Sequence, residues 1–214
     1  MRKAIYGFFI LTFGVLFIFS SAQAENFEEG IHYRELSELQ PTRTGDKIEV
    51  VEAFWYRCPH CYNLEAPLID WLKNIPDNAE FVTMPAIFAD SWELHARVYY
   101  TFDALGITEQ FHREFFNALH QERKRLNSVE AIAKWVEENG GPKASEFTGA
   151  FASFAVDSNT RNAQLMSQKY ELTGVPSMIV GGKYVTTVTM AGSHERFFNV
   201  IDYLIDLVNE EKLN

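Results

Sequence analysis

The 214 residues carry 19 basic and 29 acidic side chains, a net charge of −10, and 47% of them are hydrophobic. So acidic a balance argues against nucleic acid or an anionic membrane surface as the main partner. The length allows one sizeable domain, or a domain with an insertion, whose core needs no covalent staples.

The chain opens as an export leader. Arg2 and Lys3 precede an uncharged apolar run from Ala4 to Phe19, and Ala22-Gln23-Ala24 supplies a small-residue cleavage pattern. The run, about 16 residues, falls short of the roughly 20 that a spanning helix needs. Cleavage is expected after Ala24, and removing 24 residues from 214 leaves 190. The leader holds two bases and no acid, so the net charge moves from −10 to −12.

Lys47 to Tyr56 is rich in β-branched and aromatic residues and reads as a central strand buried on both faces. Cys58 to Lys73 reads as a helix with Pro59 in its first turn. Pro76-Asp77-Asn78 then turns the chain into a strand over Glu80 to Met84. This is the strand, helix, strand order of an α/β domain.

The next strand-like run begins only at Ser177, and what lies between has helical spacing: Trp92 to Leu105, then Phe111/Phe115/Leu119, then Val129/Ile132/Ala133/Val136. Asn127 with Glu130 resembles a capping box for the third of these. Ala144 to Leu172 continues as one long or bent helix. His112/Phe116/His120 share a helix face and, lacking a carboxylate companion at ligand spacing, read as helix surface. Trp92, Tyr99, Tyr100 and Phe102 read as core or insertion packing, with a peptide groove lined by some of them as the alternative. Ser177 to Val180, Gly181-Gly182 and Tyr184 to Thr189 form a hairpin pattern, and Phe197/Ile201/Leu204/Val208 mark a closing amphipathic helix.

The chemistry centres on Cys58 and Cys61, the only cysteines. A bridge across so short a loop contributes about 2 kcal/mol in the chain-entropy model, so reactivity is a better reason for the pair than stability. A zinc half-site lacks its second C-x-x-C, and no clustered histidines complete it. Placed at a strand-to-helix junction, the pair meets unpaired N–H groups and the positive end of a helix dipole, which favour a thiolate on Cys58. Cys61 lies about one turn inward. His60, inside the loop, is placed to stabilise the same thiolate. Each unit by which that pKa falls below the working pH favours the dithiol, and so makes the disulfide more oxidising.

The Cys58-Pro59-His60-Cys61 motif, the preceding Glu52 and aromatics, Gly174-Val175-Pro176 and the helical insertion together resemble the DsbA family of bacterial periplasmic disulfide-donating enzymes. The resemblance covers essentially the whole mature chain. It implies an α/β, thioredoxin-like fold with an inserted all-helical domain. The divisions are 1–24 leader, 25–86 first part of the core, 87–162 helical insertion and 163–214 second part of the core. It further implies Cys58 as nucleophile, Cys61 as its disulfide partner, and His60 with Pro59 as the tuning residues of the loop. Val175-Pro176 is implied to be a cis peptide facing the cysteines, where the Val175 backbone can pair with an extended substrate by strand addition. Glu52, six residues before Cys58, shares a strand face with Phe54 and Tyr56 and is placed to relay a proton to Cys61. Some family members pair this acid with a lysine on the next strand, but Phe81 to Ala86 contains none. Arg57 either favours the thiolate or points into water.

The expected partners are reduced, unfolded exported proteins and a quinone-linked membrane oxidase of the DsbB type. The redox-active disulfide is the only prosthetic chemistry expected: no metal, no other cofactor, a monomer in the periplasm. Two alternatives remain open from sequence: an exported disulfide reductase or isomerase, and a non-enzymatic peptide-binding module.

Overall fold

Burial decides the architecture, and it is most complete along β2 (Ile48–Phe54), where all seven residues are buried. The computed structural model describes residues 26–213; the expected leader lies outside them. A short β1 (Arg34–Glu35) precedes β2. Then come α1 (Pro59–Leu72), β3 (Ala79–Pro85) and five helices in succession: α2 (Asp90–Ala104), α3 (Thr108–His120), α4 (Val129–Glu138), α5 (Ala144–Phe151) and α6 (Phe154–Lys169). The chain returns as β4 (Ser177–Val180), β5 (Tyr184–Thr187), α7 (Val188–Ala191) and α8 (His194–Leu213).

The sheet runs β1-β5-β4-β2-β3. β2 pairs parallel with β3 and antiparallel with β4, and β5 is antiparallel to both β4 and β1. β2 is therefore interior and covered on both faces, although the middle place belongs to β4. Phe197, Ile201 and Leu204 of α8 pack with Ile48, Val50 and Leu64 in one cluster. Phe102, Phe111, Phe115 and Trp135 from the helices gather around Phe54, Tyr56 and Cys61 in another. The sulfur chemistry thus sits where the helices meet the end of the sheet.

Three local expectations are corrected. Ser128, not Asn127, caps α4, its hydroxyl accepting from Ala131 N–H at 3.3 Å. Asn127 instead accepts a hydrogen bond from Arg57. The stretch from Ala144 is two helices, because Ser153 caps a new start by accepting from Val156 N–H at 3.3 Å. The hairpin's second strand ends at Thr187, whose hydroxyl caps α7. Gly181 and Gly182 adopt φ of 61° and 66°, as the turn reading requires.

Candidate active site

β2 ends at Phe54 because the chain must turn. The Cys58 N–H donates to Trp55 C=O at 2.9 Å, closing that turn, and Cys58 becomes the N-cap of α1 with extended φ/ψ of −83° and 114°. Pro59 occupies the first helical turn, where its missing N–H costs nothing. The Cys58 sulfur takes the place a serine or aspartate oxygen usually fills at a cap, accepting from Cys61 N–H at 3.3 Å. Its thiol also reaches the Val175 carbonyl at 3.5 Å, although the two residues are 117 positions apart. The Val175–Pro176 peptide is cis.

The two sulfurs are unequal. Both are free thiols, but Cys58 keeps a sliver of exposure at 7% while Cys61 has none. The Cys58 pKa is lowered from 9.0 to about 6. The largest cause is the hydrogen bond with the Cys61 thiol. Burial opposes it, and the N–H groups of Cys61 and His60 and the His60 charge add to the lowering. The Cys61 thiol is pushed far up, chiefly by burial and then by the neighbouring Cys58. The site therefore holds one stabilised thiolate and one thiol that keeps its proton.

His60 is exposed and, with Gly174, Val175 and Pro176, lines an open cleft of about 670 Å³ beside the cysteines. That cleft continues along Thr187, Val188 and Met190. Arg57 is exposed and turned to Asn127, ahead of α4.

Glu52 is 1% exposed, and its Oε1 makes no hydrogen bond among the described residues. Burial, then the nearby carboxyl of Glu65 and the Cys58 charge, hold its pKa well above the usual carboxylate range. In the sheet register its neighbours are Thr83 and Met178, neither of them charged. The acid is thus held toward its protonated form and interacts electrostatically with both sulfurs.

The reading of His112/Phe116/His120 as a helix surface is overturned. Phe116 is fully buried. The His112 Nδ1 is 2.8 Å from the Tyr56 hydroxyl, and the His120 Nε2 is 2.8 Å from the Tyr56 carbonyl. Two histidines of α3 thereby brace the residue two before Cys58. Glu65, on the buried face of α1 one turn beyond Cys61, was not singled out in the sequence; its Oε1 lies 3.6 Å from His112 Nε2. Among the described residues no cluster of three or more His, Cys, Asp or Glu side chains could hold a metal ion.

A sheet of this order whose interior strand delivers a C-x-x-C to a helix start, with a cis proline against the first sulfur, defines a thiol–disulfide oxidoreductase of the thioredoxin fold. Residues 82–200 match the family model of the DSBA-like thioredoxin domain. The thiol:disulfide interchange protein DsbA of Pseudomonas syringae pv. tomato is 39% identical over 191 residues, which cover 89% of each chain. Its counterpart from Pseudomonas aeruginosa is 37% identical over 186 residues, 87% of this chain and 88% of that one. The crystal structure of Pseudomonas aeruginosa DsbA superposes with a TM-score of 0.83 at 34% identity, covering 88% of this chain and 97% of that one. The chain belongs to the DsbA family.

Proposed function

We propose that the protein donates its Cys58–Cys61 disulfide to reduced proteins. A substrate thiolate attacks the Cys58 sulfur, and the bond to Cys61 breaks. The bonding pair goes to the Cys61 sulfur, which takes up a proton. A second substrate thiolate then attacks the substrate sulfur of the mixed disulfide and expels Cys58 as a thiolate. The substrate loses two electrons and the enzyme ends as the dithiol. The observation that carries this direction is the asymmetry of the sulfurs, a leaving thiolate at about 6 beside a fully buried thiol.

The roles follow from position. Cys58 is the nucleophilic centre, Cys61 its disulfide partner, and Pro59 and His60 shape and charge the loop. Val175 and Pro176 border the sulfur, where the Val175 backbone can pair with an extended peptide in the cleft. Main-chain pairing tolerates many sequences, which suits unfolded clients. Glu52, buried and with its carboxyl pKa raised by that burial, supplies the proton that Cys61 needs. The same proposal takes residues 1–24 as a cleaved leader and 25–86 with 163–214 as the core. It takes 87–162 as the inserted helical domain, with α6 running across its last boundary. The setting is the periplasm, and a membrane oxidase of the DsbB type restores the disulfide.

The test mixes oxidised protein with a reduced two-cysteine peptide. Stoichiometric appearance of the cyclic peptide disulfide is expected, together with its loss in Cys58→Ser. A peptide that stays reduced refutes the proposal.

A further inference from the structure

A second cavity, of about 280 Å³, opens on the α3 side of the cysteine helix, and of its lining the disulfide exchange just described uses only Glu52. Its inner wall holds Glu52 of β2, Glu65 of α1 and Tyr99 of α2; its outer rim holds Glu109 and Arg113 of α3, both exposed. His112 stands between them, partly exposed at 18% of its side chain.

The Glu52 Oε1 is buried without a hydrogen-bond partner among the described residues, and its two strand neighbours, Thr83 and Met178, carry no charge. The cavity that Glu52 borders gives such a carboxyl a route for exchanging its proton with water. Of the side chains lining that cavity, only His112 and Arg113 can bear positive charge. Arg113 is at the rim and does not release protons in a protein. The Tyr56 hydroxyl holds the His112 Nδ1 at 2.8 Å, so Nε2 is the nitrogen turned toward Glu65, at 3.6 Å. An imidazole so fixed binds and releases a proton at one defined atom, between the buried acids and the rim.

We propose that His112 is the positioning residue that passes protons between solvent and the buried Glu65 and Glu52 pair, and so resets Glu52 after each turnover. The inference rests on the oxidase reading above. When the disulfide opens, Cys61 takes the bonding pair and the Glu52 proton. Glu52, now a carboxylate, regains a proton through Glu65 from His112 Nε2, which takes its own from water at the rim. Reoxidation runs the same path outward, because the Cys61 thiol must lose its proton before its sulfur bonds to Cys58. The titratable and charged groups facing His112 are Tyr56 and Glu52 at the end of the sheet, Glu65 on α1, Tyr99 on α2, and Glu109 and Arg113 on its own helix.

The experiment follows peptide oxidation by the full-length mature protein across pH 5.5 to 8.5 in H2O and D2O. It compares the unaltered protein with His112→Asn, which keeps a polar atom near Tyr56, and His112→Gln, which keeps one near Glu65; whichever folds is read. The expected result is a rate about 10-fold lower at pH 7 with a larger solvent isotope effect, partly restored by added imidazole. The Cys58 thiolate titration is expected to stay at about 6. An unchanged rate and isotope effect overturns the proposal, and so does a uniform slowing at every pH that imidazole does not relieve. Failure of the unaltered protein to oxidise the peptide at all would instead remove the oxidase reading beneath it.

Discussion

At the residue scale, the chemistry depends on which groups are charged when folded. The folded pKa of Cys58, about 6, lies below the 9.0 of an unperturbed thiol, so its ionisation adds stability to the reduced protein. That contribution is complete above pH 9 and is lost as the pH falls through 6. Between pH 5 and pH 7 it grows by about 1.4 kcal/mol. Urea unfolding of the reduced protein against Cys58→Ala should show a stability difference that widens by that amount over the interval; a pH-independent difference would contradict it. Glu52 has the opposite sign. Its folded pKa is raised above 4.5, so the folded state loses stability relative to the unfolded as pH rises past 4.5. Glu52→Gln should therefore be more stable than the unaltered protein at pH 7, by thermal melting, while oxidising peptide more slowly.

At the scale of elements, hydrophobic period and turn chemistry make most of the fold legible. β2 reads as buried because β-branched and aromatic residues dominate it, and all seven of its residues are buried; Gly181-Gly182 reads as a turn because both need positive φ. Gly182 also has no room for a side chain, since a Cβ there would lie 2.2 Å from the Gln40 carbonyl oxygen. Gly182→Ala should cost about 2 kcal/mol or more in urea unfolding. The α5–α6 break escapes the pattern because Phe151-Ala152-Ser153-Phe154 contains no glycine or proline, and only one hydroxyl marks the restart. Ser153→Ala should lower stability by about 1 kcal/mol; no change would mean that this cap does not set the break. For α4 the serine one position on takes the cap because Asn127 is engaged by Arg57, a contact across 70 residues.

At the scale of the whole molecule, the site is legible where its parts are neighbours in sequence and obscure where folding brings them together. Cys58, His60 and Cys61 lie within one helical turn, and the Val175-Pro176 pair announces itself by resemblance. The α3 histidines do not, because a spacing of four places residues on a common face without saying which way it turns. On α3 the adjacent stripe of Phe111 and Phe115 meets Trp135, while the His112 to His120 stripe meets Tyr56 and Tyr62. Both stripes face inward because α3 packs against the cysteine helix and α2, with Trp135 of α4 against Phe111 and Phe115. The same packing borders the cavity beside Glu52 and keeps the Cys61 thiol from water, leaving Cys58 as the more exposed of the two sulfurs. Equilibration of the Cys58–Cys61 pair with glutathione buffers at pH 7 tests this most directly. The account predicts that the protein is already the dithiol in buffers rich in oxidised glutathione; a disulfide that persists against excess reduced glutathione would contradict it.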